Sequence, residues 1–492
     1  MKEDQAVATD DRADLTDDRA VETEKSAVTK GIHVAATDNR AVVTVIGGGL
    51  AGCEAAWQIA GRGVPVRLYE MRPQTPSPAH HTDDLAELVC SNSLRANSIT
   101  SAVGLLKEEM RRLDSLVLAC ADANRVPAGE ALAVDRDGFS QMMTRLICAH
   151  PHIELCREEV RTLPESGVTV LAAGPLASPA LAEALLSLGG ARDLYFYDAA
   201  APLVLTESLD QAEGFWASRY DKGEKDYFNC PMTQQEYDTF YDALTEADVR
   251  LPRDFEEERY FEGCMPVEVL AGRGRQTLLF GPMKPVGLTN PTDGRRPYAV
   301  VQLRRDDRDG RLMNIVGFQT RLTRPEQDRV FRLIPALREA SFARYGMVHR
   351  NTYINAPVML EADGRLKTKE HVFVAGQISG VEGYVESAAS GLAMGINAAL
   401  AYRGLPTTLF PRETAIGALL HYIVNAQPKA FQPMNINFGL LPAPEFLPKG
   451  KKEKNAAIAQ RALDALAVYK EALDRILPVA NNGRPITAGK TY

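Results

Sequence analysis

Two kinds of residue in this chain carry chemistry by their type and spacing: glycines that end an apolar run, and thiols set among polar neighbours. Val42-Val43-Thr44-Val45-Ile46 leads directly into Gly47-Gly48-Gly49-Leu50-Ala51-Gly52. Gly47 can take a tight turn, Gly49 lets the backbone close on a pyrophosphate, and Gly52 lets a helix pack against the strand before it. A helix starting at Leu50 aims its free amides and its dipole at phosphate. Glu70 closes a second apolar run, Val64 to Tyr69. It lies about 20 positions past the glycines, where an acid holds a ribose hydroxyl pair.

The thiols divide by context. Cys90 lies in Glu87-Leu88-Val89-Cys90-Ser91-Asn92-Ser93-Leu94-Arg95, a polar setting in which a nearby Arg95 would favour a thiolate. Cys264 lies in Phe261-Glu262-Gly263-Cys264-Met265-Pro266, flanked by turn residues. Each is either a reactive thiol or a buried inert one, which is the default for a single cysteine. Cys120, Cys148 and Cys156 sit among apolar residues and read as structural, Cys53 reads as a packing residue, and Cys230 is open. His80-His81, in a proline-rich loop, reads as surface or substrate contact ahead of metal ligation, since two adjacent histidines do not make a site alone. Tyr384 either stacks on a ring system or belongs to the core.

These residues need elements to position them. The first expected helix runs from about Leu50 to Arg62, and residues 101–119 carry a second helical period. Val168 to Gly174 is a short buried strand ending at glycine, as is His371-Val372-Phe373-Val374-Ala375-Gly376-Gln377. A small-residue helix from Ser387 to about Leu400 follows. A nicotinamide enzyme needs only the first strand–glycine unit. A flavin enzyme often uses a second to hold the remote half of FAD, so Gly376 and Gln377 tilt the reading to FAD. The fold expected is α/β: a Rossmann-like FAD-binding domain with an inserted mixed α/β domain. The expected boundaries are a disordered leader (1–40), the FAD-binding domain (41–200 and 346–445), the inserted domain (201–345) and a peripheral helical segment (446–492).

The chain has 492 residues and a net charge of −8, which does not suggest a generic nucleic-acid binder but leaves room for a local basic face. Arg273, Arg275, Lys284, Arg295, Arg296, Arg304 and Arg305 supply one tract, and Lys449, Lys451, Lys452 and Lys454 another. Seven scattered cysteines without a CxxC pair argue against a disulfide framework or structural zinc and fit a cytoplasmic protein. No apolar run approaches a membrane span.

Several segments together resemble a known family. They are Gly47 to Gly52, Ala79-His80-His81-Thr82-Asp83, Glu87 to Arg95, Ala131 to Arg136, Phe261 to Glu268, Phe280 to Gly287, Gly376 to Ser390 and Phe431 to Leu441. From about 41 to 445 the chain is similar to the TrmFO family, the folate- and FAD-dependent tRNA (uracil-5-)-methyltransferases, and more distantly to the MnmG (GidA) flavoproteins. The resemblance implies transfer of a one-carbon unit from methylenetetrahydrofolate to carbon-5 of the T-loop uridine, position 54, of tRNA. FAD reduced by NADH or NADPH would supply the electrons. It implies binding of the tRNA T arm and no obligate protein partner. It puts the family's two catalytic cysteines on Cys90 and Cys264, with Cys264 as nucleophile and Cys90 as base, or the reverse. Gly47, Gly48, Gly49, Leu50, Ala51, Gly52, Glu70, Gly376, Gln377 and Tyr384 would hold the cofactor. The alternatives are a wobble-uridine flavoprotein of the MnmG type and a non-catalytic RNA-binding factor.

Overall fold

The structure, a computed structural model, describes residues 42–77, 79–188, 195–221, 224–250, 265–444 and 448–480. The expected leader and Cys264 lie outside the described residues.

The glycine-rich turn sits at the end of a buried sheet. β1 (Val43–Ile46), β2 (Val66–Tyr69), β3 (Ile153–Cys156), β4 (Thr169–Leu171), β5 (Arg365–Leu366) and β6 (Lys369–Val374) are ordered β5-β6-β4-β1-β2-β3. Every pairing is parallel except the β5–β6 edge. Val43 and Val45 are fully buried, as expected of a central parallel strand covered on both faces. Because β6, β4, β1 and β2 run the same way, their carboxyl ends meet at one edge. Backbone bonds knit that edge: Gly47 N–H donates to Tyr69, Ala172 N–H to Ile46 and Ala375 N–H to Leu171, each at 2.8 Å. Two segments some 330 residues apart in sequence thus end at the same edge, with β4 between them.

Two helices leave this edge and cross in close contact. α1 (Leu50–Ala60) follows the first turn, and α2 (Tyr384–Tyr402) follows the second. A Cβ on Gly391 would stand 2.2 Å from the Ala51 carbonyl oxygen, and one on Gly395 2.7 Å from that of Ala55. Only glycine permits this approach. α2 begins three residues before Ser387, because Gly383, at φ +108°, starts the helix at Tyr384. The expected helical run over 101–119 divides into Ala102–Arg112 and Leu116–Ala123. Asp114 is left-handed at φ +58°, and Ser115 caps the second piece by accepting from the Leu118 N–H.

A second sheet is antiparallel throughout. Its order is Phe215–Ala217, Tyr227–Met232, Ala299–Arg305, Leu312–Ile315, Leu203–Leu205, Phe342–Arg344. It has its own core, with Phe228, Phe240, Phe318 and Phe331 fully buried. The chain enters and leaves it through a two-stranded ribbon, Tyr195–Ala200 against Met347–Thr352. The helix Lys451–Ile476 buries Ile458, Ala462, Leu466, Tyr469 and Leu473, one face at helical spacing, in the core shared with the first sheet. No helix of the described residues is long and apolar enough to cross a membrane.

Candidate functional site

A cleft opens at the carboxyl edge of the parallel sheet. Its wall contains Gly47, Gly48, Gly49, Leu50, Ala51, Glu70, Gly376, Gln377 and Tyr384. Gly52 stands behind that wall, where a Cβ would lie 1.8 Å from the Gly47 carbonyl oxygen. Gly47 itself is left-handed at φ +105°. Gly49 is different: it has an ordinary φ of −77°, and a Cβ there would meet no atom within 4 Å. The space its side chain would fill belongs to the cleft. That is the fit expected for a phosphate brought against the backbone.

Both helix starts facing the cleft lack a side-chain cap, with Gly49 before α1 and Gly383 before α2. Two uncapped helix starts, with their dipole ends, therefore border one cavity, which suits a ligand with anionic groups. Glu70 ties the first down. Its Oε2 accepts from the Gly48 N–H at 2.9 Å, and its Oε1 accepts from the Arg72 backbone N–H and Nε, both at 3.0 Å. A ribose hydroxyl would add to these bonds, since a carboxylate has about four acceptor positions. At the second turn, Gly376 at φ +79° donates its N–H to Ser390 Oγ at 2.7 Å, and Gln377 Nε2 donates to Glu382 at 2.8 Å.

The loop after β2 closes one side. Arg72 donates to the carbonyls of Thr82 and Asp84, at 2.9 and 3.0 Å, and to Glu87 at 3.2 Å. Glu87 also accepts from the His81 and Thr82 N–H groups. Burial works to raise the Glu87 pKa, but these N–H bonds prevail and hold it below the usual carboxylate range. His80 lines the cleft, its Nδ1 2.5 Å from Ser77 Oγ. Burial, with Arg72 close by, pulls His80 down to about 4. It is a neutral ring at physiological pH. Among the described residues no cluster of three or more His, Cys, Asp or Glu is arranged to hold a metal ion.

Cys90 meets the cleft at Tyr384. Its backbone N–H donates to the Tyr384 hydroxyl at 2.7 Å, and its Sγ faces the Ala199 carbonyl at 3.6 Å. Tyr384 is thus a lining residue at the first position of α2. Arg95 does not serve the thiol, because its guanidinium pairs with the buried Glu386 of α2. Arg136 and Arg344 both lie within electrostatic reach of Cys90.

The second sheet positions the thiol loop. Arg136 grips both oxygens of Asp306, at 3.0 and 2.9 Å, and also donates to the Leu88 carbonyl. Arg304 donates to Asn92 Oδ1 at 2.7 Å and to Ser91 Oγ at 3.1 Å. Asn92 in turn donates to the Val134 and Arg305 carbonyls. The residues on both sides of Cys90 are therefore bolted to the end of the strand Ala299–Arg305.

Several expectations change. Cys148 is exposed: the inward face of its helix, Arg136–Ala149, is Phe139, Met143 and Ile147, and Cys148 is rotated out of it. Cys230 resolves as buried, and burial pushes its thiol up. Cys53 donates its S–H to the Gly48 carbonyl. The arginine tract divides. Arg304 is internal, Arg275 pairs with Asp238 and Asp242, and Arg305 lies over the Trp216 ring, while Arg295 and Arg296 are exposed. The sequence reading did not place Arg72, Glu87, Gly174 or Ser178 in the cleft wall, although all four line it. The run ending at Gly174 carried the same strand–glycine pattern as the other two and was the signal available.

Residues 42–406 match the family described as glucose inhibited division protein A. The methylenetetrahydrofolate–tRNA-(uracil-5-)-methyltransferase TrmFO of Heliobacterium modesticaldum is 59% identical over 424 residues, covering 86% of this chain and 97% of that protein. The protein of the same name from Listeria monocytogenes is 56% identical over 431 residues, covering 88% and 99%. Among solved structures, GidA of Aquifex aeolicus superposes with a TM-score of 0.63 at 16% identity, over 90% of this chain and 77% of that one, a likeness of fold. With a parallel sheet that ends in glycine turns at the cleft and relatives matched along nearly their full length, the chain belongs to the glucose inhibited division protein A family and, within it, to the TrmFO group.

Proposed function

We propose that this chain binds FAD in the cleft and methylates carbon-5 of the T-loop uridine, position 54, of tRNA. Methylenetetrahydrofolate is the carbon donor and NADH or NADPH the reductant. The observation that carries this reading is the bond from the Cys90 amide to Tyr384: it sets a half-buried thiol beside the cleft lined by the glycine turns. The names of the relatives supply the substrate class.

In this reading the amides of Leu50 and Ala51 and the bare face of Gly49 take the pyrophosphate, backed by Gly47, Gly48 and Gly52. Glu70 takes the ribose, and Gly376 and Gln377 take the remote half of the cofactor. The Tyr384 ring, which lines the cleft, would be a neighbour of the bound cofactor. Bound FAD would supply the hydride that completes the methyl group. Carbon-5 of uracil is a weak nucleophile, and a thiolate adding to carbon-6 makes it a strong one. Cys264 serves as that nucleophile, and Cys90 removes the carbon-5 proton so that the first thiol can leave. The uridine leaves its stack to reach them. The parallel-sheet segments, 41–200 and 346–445, form the FAD-binding domain, 201–345 the inserted domain, and 446–492 the C-terminal helical segment. Arg295, Arg296 and the Lys449–Lys454 cluster offer phosphate contacts to the T arm. The protein works in the cytoplasm without an obligate protein partner.

The test is to incubate the purified chain with labelled methylenetetrahydrofolate, NADPH and an unmodified tRNA transcript, and to map the label. Label on the T-loop uridine is expected. Cys90→Ala and Cys264→Ala are each expected to lower transfer by on the order of 10²–10⁴-fold. A colourless protein that cannot be reconstituted with FAD overturns the reading. A strict need for a second protein points to the wobble-uridine chemistry instead.

A further inference from the structure

We propose that Arg344 is the receptor for an anionic oxygen at the reaction centre, namely the uracil O4 that gains charge when a thiolate adds to carbon-6. The inference rests on the function proposed above and adds a residue to it.

Arg344 ends the strand Phe342–Arg344, opposite Leu203 at the edge of the second sheet. Two residues on, Gly346 passes so near the ribbon that a Cβ there would lie 2.8 Å from the Ala200 carbonyl oxygen. The carbonyl of the preceding residue, Ala199, is the one facing Cys90 Sγ. The strand end and the thiol are thus joined through a single short stretch of ribbon.

The guanidinium is left unspent. Its Nε and Nη2 are both shut off from solvent, and neither has a hydrogen-bond partner among the described residues. Other arginines with an orphaned buried donor spend another nitrogen: Arg62 on Gln58, Arg304 on Asn92, Arg365 on Asp363 and Arg461 on the Pro442 carbonyl. The charges around Arg344 do not neutralise it. The largest are Arg136, which repels it, and Asp306, whose two oxygens Arg136 already holds. Tyr384 and Cys90 also lie within its reach. An unpaired cation in such a place is costly unless something anionic arrives to meet it. Nε and Nη2 form one edge of the fork, two parallel donors suited to an oxyanion.

The reaction supplies that oxyanion in transit. The thiolate pair forms the sulfur–carbon-6 bond. The carbon-5–carbon-6 π pair shifts toward carbon-4, and the carbonyl π pair comes to rest on O4. When carbon-5 attacks the methylene carbon, the pair returns from O4 to form the new carbon–carbon bond, and the carbon–nitrogen π pair of the methylene iminium moves onto its nitrogen. No atom is lost and no oxidant is consumed in this step. A fixed cation facing O4 stabilises the charged state more than the neutral base, which is what accelerates the step. A carboxylate of the folate tail offers the same chemistry from a second source.

The experiment uses the full chain with FAD, as Arg344→Gln and Arg344→Lys. Wild type is first shown to label the tRNA. If it does not, the methyltransferase reading itself has failed, whatever the variants do. The variants are compared for flavin content, kcat, KM for methylenetetrahydrofolate with one and with three glutamates, and the covalent adduct formed with a 5-fluorouridine transcript. With flavin retained, Arg344→Gln is expected to lose about 10²–10³-fold in kcat and to form the adduct correspondingly slowly, with Arg344→Lys restoring part of both. A loss confined to KM, larger for the triglutamate, assigns the site to the folate carboxylate. Unchanged kcat, KM and adduct in Arg344→Gln overturn the proposal. So does loss of flavin from both variants, which assigns Arg344 to holding the fold.

Discussion

The dinucleotide cleft and the Cys90 loop lie side by side, yet they are built in opposite ways. The cleft is made of backbone. Its shape comes from residues without side chains at Gly47, Gly49, Gly52 and Gly376, and its charge comes from helix ends. The thiol loop is made of long side chains reaching from elsewhere: Arg136, Arg304 and Asp306 hold it in place. The first construction fails when an atom is added, and the second fails when one is removed.

Substitutions can test that contrast. Gly52→Val puts a side chain where a Cβ already falls 1.8 Å from a backbone oxygen, so the turn itself must move. Destabilisation by about 4 kcal/mol or more is expected, with loss of flavin, read by denaturant unfolding and absorbance. Asp306→Asn deletes one atom's charge from the other construction and leaves Arg136 buried without its partner. About 3–5 kcal/mol should be lost, and methyl transfer should fall further than flavin content does. Equal losses of both would show that the thiol loop and the cleft are one structural unit.

The His80 ring separates the two by pH. Its folded value of about 4 lies below the ordinary 6.5, so the unfolded chain takes up the proton first as pH falls. Its contribution is complete above pH 6.5 and is lost on the way down to 4. Between pH 7.5 and 5 that loss is about 2 kcal/mol, and His80→Asn should remove it from the urea-unfolding difference. Gly49→Ala is the mildest to the fold. Its φ is ordinary and its Cβ meets nothing, so stability should change by less than about 0.5 kcal/mol, while FAD affinity falls by about 10-fold or more. Unchanged FAD affinity would mean that the phosphate does not lie over Gly49.

The same contrast explains what the sequence disclosed. The glycine turn, α1 and Glu70 fall within a short stretch, and strand, turn, helix and acid follow in a fixed order. Gly174 carried the pattern too, but only the sheet order, with β4 between β1 and β6, shows that it shares their edge. Cys148 was readable from the spacing of Phe139, Met143 and Ile147, since it sits one step off that face. The thiol loop was not readable. Arg136 and Asp306 are 170 positions apart, and Cys90 and Tyr384 are 294 apart. No local period encodes such pairs. Arg95 drew notice because it is near Cys90 in sequence, whereas Arg344 is near it only in space.

The crossing of α1 and α2 at Gly391 and Gly395 has a consequence for synthesis. The first half of the cradle leaves the ribosome early, but the helix that braces it is among the later parts to be made. A nascent chain halted before residue 384 carries the whole glycine signature and lacks Tyr384, Ser387 and the helix that braces its pocket. Truncated products should therefore be unable to sequester cofactor, however complete their amino-terminal motif.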